Sequence, residues 1–220
     1  SPIVWGNRVY VTSALVEGDY KAPSPGIFGN ALLAELVEQG LSQEAAMDRV
    51  AARDIETTTV DSPPVRWVLQ CLDATTGSPQ WSQELYRGQA PGGRHRKNSY
   101  ASETPVTDGE RVYVHIGNVG LFVLTMSGDP VWSTRFDPYP IYLDFGTAAS
   151  VAVDDERVYV LNDNLDRPFL TAFDKRSGTE RWTVERDPSG SPFPSGWASP
   201  LVWRNRLRTE FVTVGLGYAI

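Results

Sequence analysis

A short phrase that ends in tryptophan occurs three times in this chain at nearly equal intervals. The copies read LDATTGSPQW (72–81), LTMSGDPVW (124–132) and FDKRSGTERW (173–182), and their tryptophans are separated by 51 and 50 residues. A period in this range is typical of repeat architectures, in which each unit buries its core against its neighbours. The repeat therefore constrains the fold strongly, while it does not name a reaction.

A second phrase precedes each copy and has the pattern of a β-hairpin. It reads SPIVWGNRVYV (1–11), SETPVTDGERVYV (102–114), AASVAVDDERVYV (148–160) and ASPLVWRNRLRTEFV (198–212). Turn-forming residues join two apolar runs that alternate with the period of a strand. Together the two phrases predict a unit of four antiparallel strands, A to D, and hence an all-β propeller built from four-stranded blades.

The tryptophan phrase also resembles the repeat of a known family. Asp73-Ala74-Thr75-Thr76-Gly77 to Trp81 is similar to the repeat of PQQ-like β-propellers, the superfamily of quinoprotein alcohol dehydrogenases and the outer-membrane assembly propeller lipoprotein. The middle copy departs from it, with Thr125 in place of Asp and one residue fewer. We expect the repeat residues to be structural, with the tryptophans packed between blades; these residues are Asp73, Gly77, Trp81, Gly128, Trp132, Asp174, Gly178 and Trp182.

Aligning the two phrases predicts about three and a half blades. Blade 1 is expected at 1–86 with an insertion at 17–64, blade 2 at 102–136, blade 3 at 147–186 and a half blade at 198–220. Three and a half blades do not close a ring, so we expect a fragment of a propeller of about seven to eight blades. Its open edges are expected to pair with the missing blades.

The insertion has the pattern of two short helices. NALLAELVEQG carries one apolar stripe between a possible cap at Asn30 and a stop at Gly40, and SQEAAMDRVAARD follows with Ser42 as its cap. Two interpretations remain open at this point. The helical pair can bury its stripe on the rim of the propeller, or it can face a partner or a membrane.

Composition restricts the classes of function. The net charge of −7 argues against a nucleic-acid-binding surface, and no apolar run approaches the ~18 residues of a membrane-spanning helix. Cys71 is the single cysteine, so no internal disulfide can form, and we expect it to be a small core residue. The family resemblance implies a secreted or periplasmic protein, possibly one associated with the cell envelope.

The long connections between blades are the predicted binding surface. In an up-and-down blade, the B-to-C loop and the D-to-A connection leave from one face, so the helical insertion shares a face with connections 86–101, 137–146 and 187–197. The first of these holds the basic cluster of the chain, which could bind an anion or be solvated or paired. The candidate binding residues are Arg94, His95, Arg96, Lys97, Asn98, Tyr142, Asp144 and Trp197.

Two further patterns are weaker. Asn162, Asn164 and Asp166 place oxygens at alternate positions, but the loop lacks the glycine and glutamate of a helix–loop–helix calcium site, so an Asx-stabilised turn is favoured over a metal site. The two histidines, His95 and His115, occur without any hydrolase or zinc motif. No metal site and no catalytic residue are therefore assigned.

These observations favour a non-catalytic propeller that binds a protein, peptide or glycan through its long-loop side, with no cofactor expected. The alternative implied by the resemblance is a piece of a quinoprotein alcohol or sugar dehydrogenase that holds PQQ and calcium. In that case a carboxylate would accept the alcohol proton, and Asp144 is a candidate only by its expected position.

Overall fold

Antiparallel hairpins follow one another along the chain and assemble into blades. The computed structural model describes residues 1–16, 29–56, 64–95, 98–189, 195–215 and 218–219. Within these residues there are three four-stranded sheets, each with its strands in chain order, and two α-helices. The predicted fold class, a partial all-β propeller of four-stranded antiparallel blades, is confirmed.

Blade 1 carries the longest strands. Its strands are β1 (Ile3–Trp5), β2 (Arg8–Val16), β3 (Val65–Asp73) and β4 (Pro79–Gly88), paired in the order β1-β2-β3-β4. Two helices lie between β2 and β3, and these are α1 (Gly29–Glu38) and α2 (Gln43–Glu56).

Blades 2 and 3 repeat the same pattern with shorter strands. Blade 2 consists of β5 (Val106–Thr107), β6 (Arg111–Ile116), β7 (Gly120–Thr125) and β8 (Pro130–Arg135). Blade 3 consists of β9 (Ala152–Val153), β10 (Arg157–Asn162), β11 (Phe169–Asp174) and β12 (Glu180–Glu185).

Two small hairpins follow blade 3. The first pairs β13 (Leu201–Arg204) with β14 (Thr209–Val212), as the repeated hairpin phrase predicts. The second pairs β15 (Val214–Gly215) with β16 (Tyr218–Ala219). Val214 thus belongs to a hairpin separate from the one that the phrase at 198–212 encodes.

The helices of the insertion pack on each other. Gly40 ends the first at a left-handed φ of 97°, and the Ser42 hydroxyl accepts a hydrogen bond from Ala45 N–H at 3.2 Å, as expected of a cap. Asn30 lies inside the first turn, since α1 begins at Gly29. No described residue of either helix belongs to the cores between the blades, and neither helix is long and apolar enough to cross a membrane.

The core lies between neighbouring blades. One cluster joins Tyr10 and Trp67 of blade 1 to Val114 and Ile116 of blade 2, and a second joins blade 2 to blade 3. Cys71 is buried in the first cluster, and this burial raises the pKa of its thiol. Each blade therefore gains its stability from contact with the next one rather than from a core of its own.

The repeated tryptophan and glycine meet across the blade interface. The Trp81 ring of blade 1 lies over Gly128 of blade 2, and the Trp132 ring of blade 2 lies over Gly178 of blade 3. A methyl group on Gly178 would come within 2.7 Å of the Trp132 ring, whose Nε1 donates to the Lys175 carbonyl at 3.0 Å. The glycine is therefore required both for its left-handed φ and for this close approach.

The structure differs from the expectation at Trp182. This ring contacts Tyr159 of its own blade at 5.9 Å between centroids and remains 37% exposed. No glycine turn of a following blade lies over it within the described residues. Of the three spaced tryptophans, two therefore join one blade to the next in this structure.

The tryptophan–glycine contacts lie on the face of the propeller that carries the tight turns, which we call the turn face. Aspartates stabilise these turns. The Asp73 carboxylate accepts the N–H groups of Thr75 and Thr76, and the Asp174 carboxylate accepts those of Arg176 and Ser177. In the middle copy, the Thr125 hydroxyl accepts the N–H groups of Ser127 and Asp129 instead. The substitution that the sequence singled out thus keeps a side-chain acceptor at the turn.

One ion pair connects the turns of blades 2 and 3. Lys175 Nζ lies 2.9 Å from the Asp108 carboxylate, and both side chains are largely buried. Burial acts to raise the pKa of Asp108, but hydrogen bonds from Lys175, two backbone N–H groups and the Tyr113 hydroxyl outweigh it and lower this pKa to about 2.

Replacing Gly178 with alanine tests the tryptophan contact, and Gly77→Ala is its matched control. Both glycines have a left-handed φ, 74° and 71°, but a methyl group on Gly77 meets nothing within 4 Å. We expect Gly77→Ala to lower the free energy of unfolding by about 1 kcal/mol through backbone strain. Gly178→Ala should cost at least about 1 kcal/mol more because Trp132 must move. Urea unfolding measures the free energy of unfolding of both variants. Equal losses in Gly178→Ala and Gly77→Ala would contradict the contact between Gly178 and Trp132.

Acid should weaken the blade 2–blade 3 contact through Asp108. Its carboxyl has a pKa of about 2 in the folded chain against an ordinary value of 3.8, so its stabilisation is complete above about pH 4. We expect the free energy of unfolding to fall by about 2 kcal/mol as the pH drops from about 4 to 2. Asp108→Asn should lack this part of the pH dependence. If the free energy of unfolding depends on pH in the same way in the wild type and in Asp108→Asn, this role of Asp108 is contradicted.

Candidate functional site

The connections on the face opposite the turn face pack against one another; we call this side the long-loop face. The first connection, at 89–105, contacts the second, at 136–151, where His95 N–H donates to the Phe145 carbonyl at 2.9 Å. The second contacts the segment before β13, where Trp197 Nε1 donates to the Gly146 carbonyl at 2.7 Å. These packed segments contain the predicted binding residues that the structure describes, which are Arg94, His95, Asn98, Tyr142, Asp144 and Trp197.

Asp144 is the carboxylate at the centre of these contacts. It accepts the Gly93 N–H at 2.7 Å, and its burial raises its pKa, while this hydrogen bond partly opposes the rise. Leu143 and Asp144 both have left-handed φ values, 52° and 51°, which are uncommon for residues other than glycine. Such strain persists only where the surroundings impose it. The carboxylate is therefore held in place by the loop packing.

The basic cluster uses its polar groups internally where the structure describes it. Arg94 donates to the Asn98 carbonyl at 2.8 Å, and its guanidinium lies 5.5 Å from the centre of the Tyr100 ring. The His95 ring packs edge-on against Phe145. Asn98 donates to the carbonyls of Phe145 and Thr147.

Not every predicted residue can be placed. Arg96 and Lys97 lie outside the described residues. The placed members of the cluster orient the loops by bonds to backbone carbonyls and by aromatic contacts. Arg87, at the end of β4, pairs with Glu84 of its own strand at 3.3 Å.

Two aromatic residues complete the surface. Tyr142 lies in a one-turn 3₁₀ helix (Tyr142–Asp144), and its backbone N–H donates to the Ser195 hydroxyl at 3.0 Å. The Trp197 ring lies 6.4 Å from that of Phe145. Both side chains are partly exposed. The surface therefore presents two aromatic residues, one held by a hydrogen bond from its backbone N–H and the other by one from its indole N–H.

A small cavity lies beneath these loops. Its volume is about 30 Å³, and it is lined by residues of the first two connections, by Trp67 and by the β6–β7 turn at Gly117 and Asn118. A cavity of this size accommodates a water molecule, whereas ligand pockets usually enclose about 300–1,000 Å³. It therefore does not hold a small organic ligand as it stands.

The cofactor pair of the quinoprotein alternative can be tested against these residues. A quinone needs a pocket far larger than this cavity, and calcium prefers six to eight oxygen ligands. The cavity offers one carboxylate, Asp144, which already accepts a backbone N–H. No group of three or more His, Cys, Asp or Glu side chains suited to a metal ion occurs among the described residues. The described cavity does not fit a quinone with calcium.

The predicted Asx turn has the hydrogen bonds expected of one. The side-chain oxygen Oδ1 of Asn164 accepts the N–H groups of Asp166 and Arg167 at 3.0 and 2.7 Å. Asp163, fully buried, faces Arg186 at 2.8 Å, and burial raises its pKa although Arg186 opposes the rise. This loop is thus fixed by an internal turn and an ion pair.

Sequence reasoning missed a buried polar group that connects blades 2 and 3. Glu103 accepts the Gly117 N–H at 3.0 Å and the Thr147 hydroxyl at 2.7 Å. His115 Nδ1 contacts the Ala149 carbonyl at 2.8 Å, which assigns its proton to Nδ1, and burial lowers the pKa of this ring. The only available signal was a glutamate just before a strand, which is too common to single out.

Asp144 should hold the first connection in place through its hydrogen bond to Gly93. In Asp144→Ala the Gly93 N–H loses its acceptor, and we expect its hydrogen exchange to accelerate about tenfold with a loss of roughly 1–3 kcal/mol of stability. Asp144→Asn keeps an acceptor and removes the buried charge, so it should behave like the wild type. Exchange measured by mass spectrometry over 91–95 distinguishes them; equal acceleration in both variants would contradict this role.

Comparison with known proteins identifies the family. A family model described as outer membrane protein assembly factor BamB matches residues 66–207. No curated protein matches the chain.

Similar solved structures include the quinohemoprotein alcohol dehydrogenase ADHIIG of Pseudomonas putida HK5 (19% identity, TM-score 0.42) and BamB of Moraxella catarrhalis (19% identity, TM-score 0.39). The matches cover 59% and 64% of this chain but only 20% and 40% of those proteins, so the chain spans less than half of their lengths. Since the family model matches more than half of the sequence, the chain belongs to the PQQ-like β-propeller family of outer membrane protein assembly factor BamB.

Proposed function

We propose that this chain is part of a non-catalytic propeller that binds a protein partner through its long-loop face in the bacterial cell envelope. The observation that carries the proposal is the mutual packing of the connections. Their carboxylate, amide and indole groups bond to backbone atoms of neighbouring loops, as Asp144 does to Gly93 and Trp197 to Gly146. A surface preformed in this way binds a partner with little loss of conformational entropy.

The chemistry of the surface suits a protein better than a small molecule. Aromatic and arginine side chains at Tyr142, Trp197 and Arg94 are the types that dominate protein interfaces. The cavity beneath them has room for water alone. The family model is that of a factor named for outer membrane protein assembly, which supports a protein partner and an envelope location.

Photo-crosslinking tests the proposal directly. A crosslinking amino acid placed at Ser99, Asp137 or Ser189, which are exposed on the long-loop face, should give a discrete covalent adduct with an envelope protein in the source bacterium. Matched positions on the turn face, Thr76 and Ser127, should give none. Adducts only from the turn face, or from neither face, would overturn the proposal.

The dehydrogenase alternative has its own experiment. If the complete propeller held PQQ with calcium, incubation with both would give stoichiometric quinone absorbance and alcohol-dependent dye reduction. On the present proposal neither is expected, and Asp144→Asn should leave partner crosslinking unchanged. Turnover that depends on added PQQ would overturn the non-catalytic assignment.

A further inference from the structure

A histidine that the candidate site does not use is enclosed between blades 2 and 3. His115 lies on β6, and its side chain shares a face of that strand with Tyr113, which belongs to the cluster between these two blades. His115 is 3% exposed, and its ring meets that of Phe136 edge-on at 5.8 Å between centroids. The imidazole is therefore shielded from water.

The two nitrogens of this ring have different surroundings. Nδ1 lies 2.8 Å from the Ala149 carbonyl, which can only accept a hydrogen bond, so Nδ1 carries the proton of the neutral ring. Nε2 is buried and has no hydrogen-bond partner among the described residues. The neutral ring thus bonds through its one N–H and has no group near Nε2 to receive another.

A second proton on the ring would be placed at Nε2. It would put a positive charge and an N–H group without an acceptor into an apolar interface, which is costly. The negative charge of Glu103 favours the protonated ring, but the effect of burial is larger. The pKa of His115 therefore lies below its ordinary value of 6.5.

The other groups packed on this face bring no charge to the ring. Leu121 stands opposite His115 on β7, and the cluster between blades 2 and 3 consists of apolar residues and Tyr113. The Tyr113 hydroxyl donates to Asp108 on the turn face, at the other end of the strand. Among the described residues, Glu103 is thus the charged group that acts on His115.

The contact between His115 and Ala149 holds the base of the second connection. Ala149 lies at the end of this connection, just before β9. The next residue, Ser150, accepts the Thr104 N–H on its hydroxyl at 2.9 Å, and Thr147 donates to Glu103. These bonds tie the segment 145–151 to blade 2, and Asp144 and Tyr142 directly precede this segment. Separation of the segment from β6 would therefore release the residues that shape the long-loop face.

We propose that His115 is an acid-sensitive switch: the neutral imidazole holds segment 145–151 against β6, and protonation of Nε2 shifts the chain to an open state in which this segment separates and the ring is hydrated. The closed state is fully favoured above about pH 6.5 and loses stability as the pH falls below this value, because the open state takes up the proton more readily. A second part rests on the proposed function: opening displaces the second connection and weakens binding of the protein partner.

Hydrogen exchange of the full chain compares the wild type with His115→Asn. The asparagine amide can donate to the Ala149 carbonyl from the position of Nδ1, and it does not titrate. Exchange over 145–151, corrected for the intrinsic rate at each pH, should accelerate about tenfold from pH 7.5 to 5.5 in the wild type. The ratio between the two pH values should stay near one in His115→Asn. Strand β3 of blade 1, which does not contact His115, is the internal control.

Nitrogen-15 NMR observes the ring in the unaltered protein. The chain has two histidines, so His95→Gln identifies the signals of His115. We expect the neutral tautomer with the proton on Nδ1 at pH 7.5, and no protonation in the folded protein down to about pH 5.5. A proton on Nε2 in the neutral ring, or titration in the folded protein with a pKa of 6.5 or above, would overturn the inference.

Exchange that accelerates equally in the wild type and in His115→Asn would also overturn it. Photo-crosslinking at Asp137 then tests the second part, and its yield should fall from pH 7.5 to 5.5 in the wild type but not in His115→Asn. A yield that is the same at both pH values would reject the effect on binding and retain the proposed function. If no position of the long-loop face crosslinks at pH 7.5, the proposed function fails, while exchange and NMR still decide on the switch.

Discussion

The contact between a tryptophan ring and a bare glycine turn joins each described blade to the next. Trp132 covers Gly178 and donates its indole N–H to the adjacent turn, so the position of one blade fixes the position of the following one. The apolar clusters between the blades then have a defined geometry to fill. The long-loop face does not carry these contacts, because the residues of the repeated tryptophan phrase lie on turns and strands of the turn face.

The long-loop face depends on that rigid frame in a different way. Its connections contain little regular structure, and their stability comes from bonds between side chains and neighbouring backbone, such as Asn98 to the Phe145 and Thr147 carbonyls. The strained backbone at Leu143 and Asp144 shows that the loops are held against local preference. Arg94, which the sequence offered as a ligand for an anion, uses part of its guanidinium to position its loop through the Asn98 carbonyl.

The sequence predicted the blades well because its repeat encodes them in short-range chemistry. Turn residues at fixed spacing and alternating apolar runs are local signals, and Asp73 and Asp174 do bond to the turns that they precede. The contacts of the candidate site are between residues far apart in sequence, as with Asp144 and Gly93. No periodicity encodes such pairs.

The unequal strand lengths make the long-loop face uneven in height. β2 and β3 each have nine residues, against six in the corresponding strands of blades 2 and 3. At about 3.3 Å per residue, the three extra residues raise blade 1 above its neighbours by roughly 10 Å. The long-loop face therefore has a step at blade 1 rather than a plane. If this face binds a protein, as proposed, the step makes the surface asymmetric and favours one orientation of the bound partner.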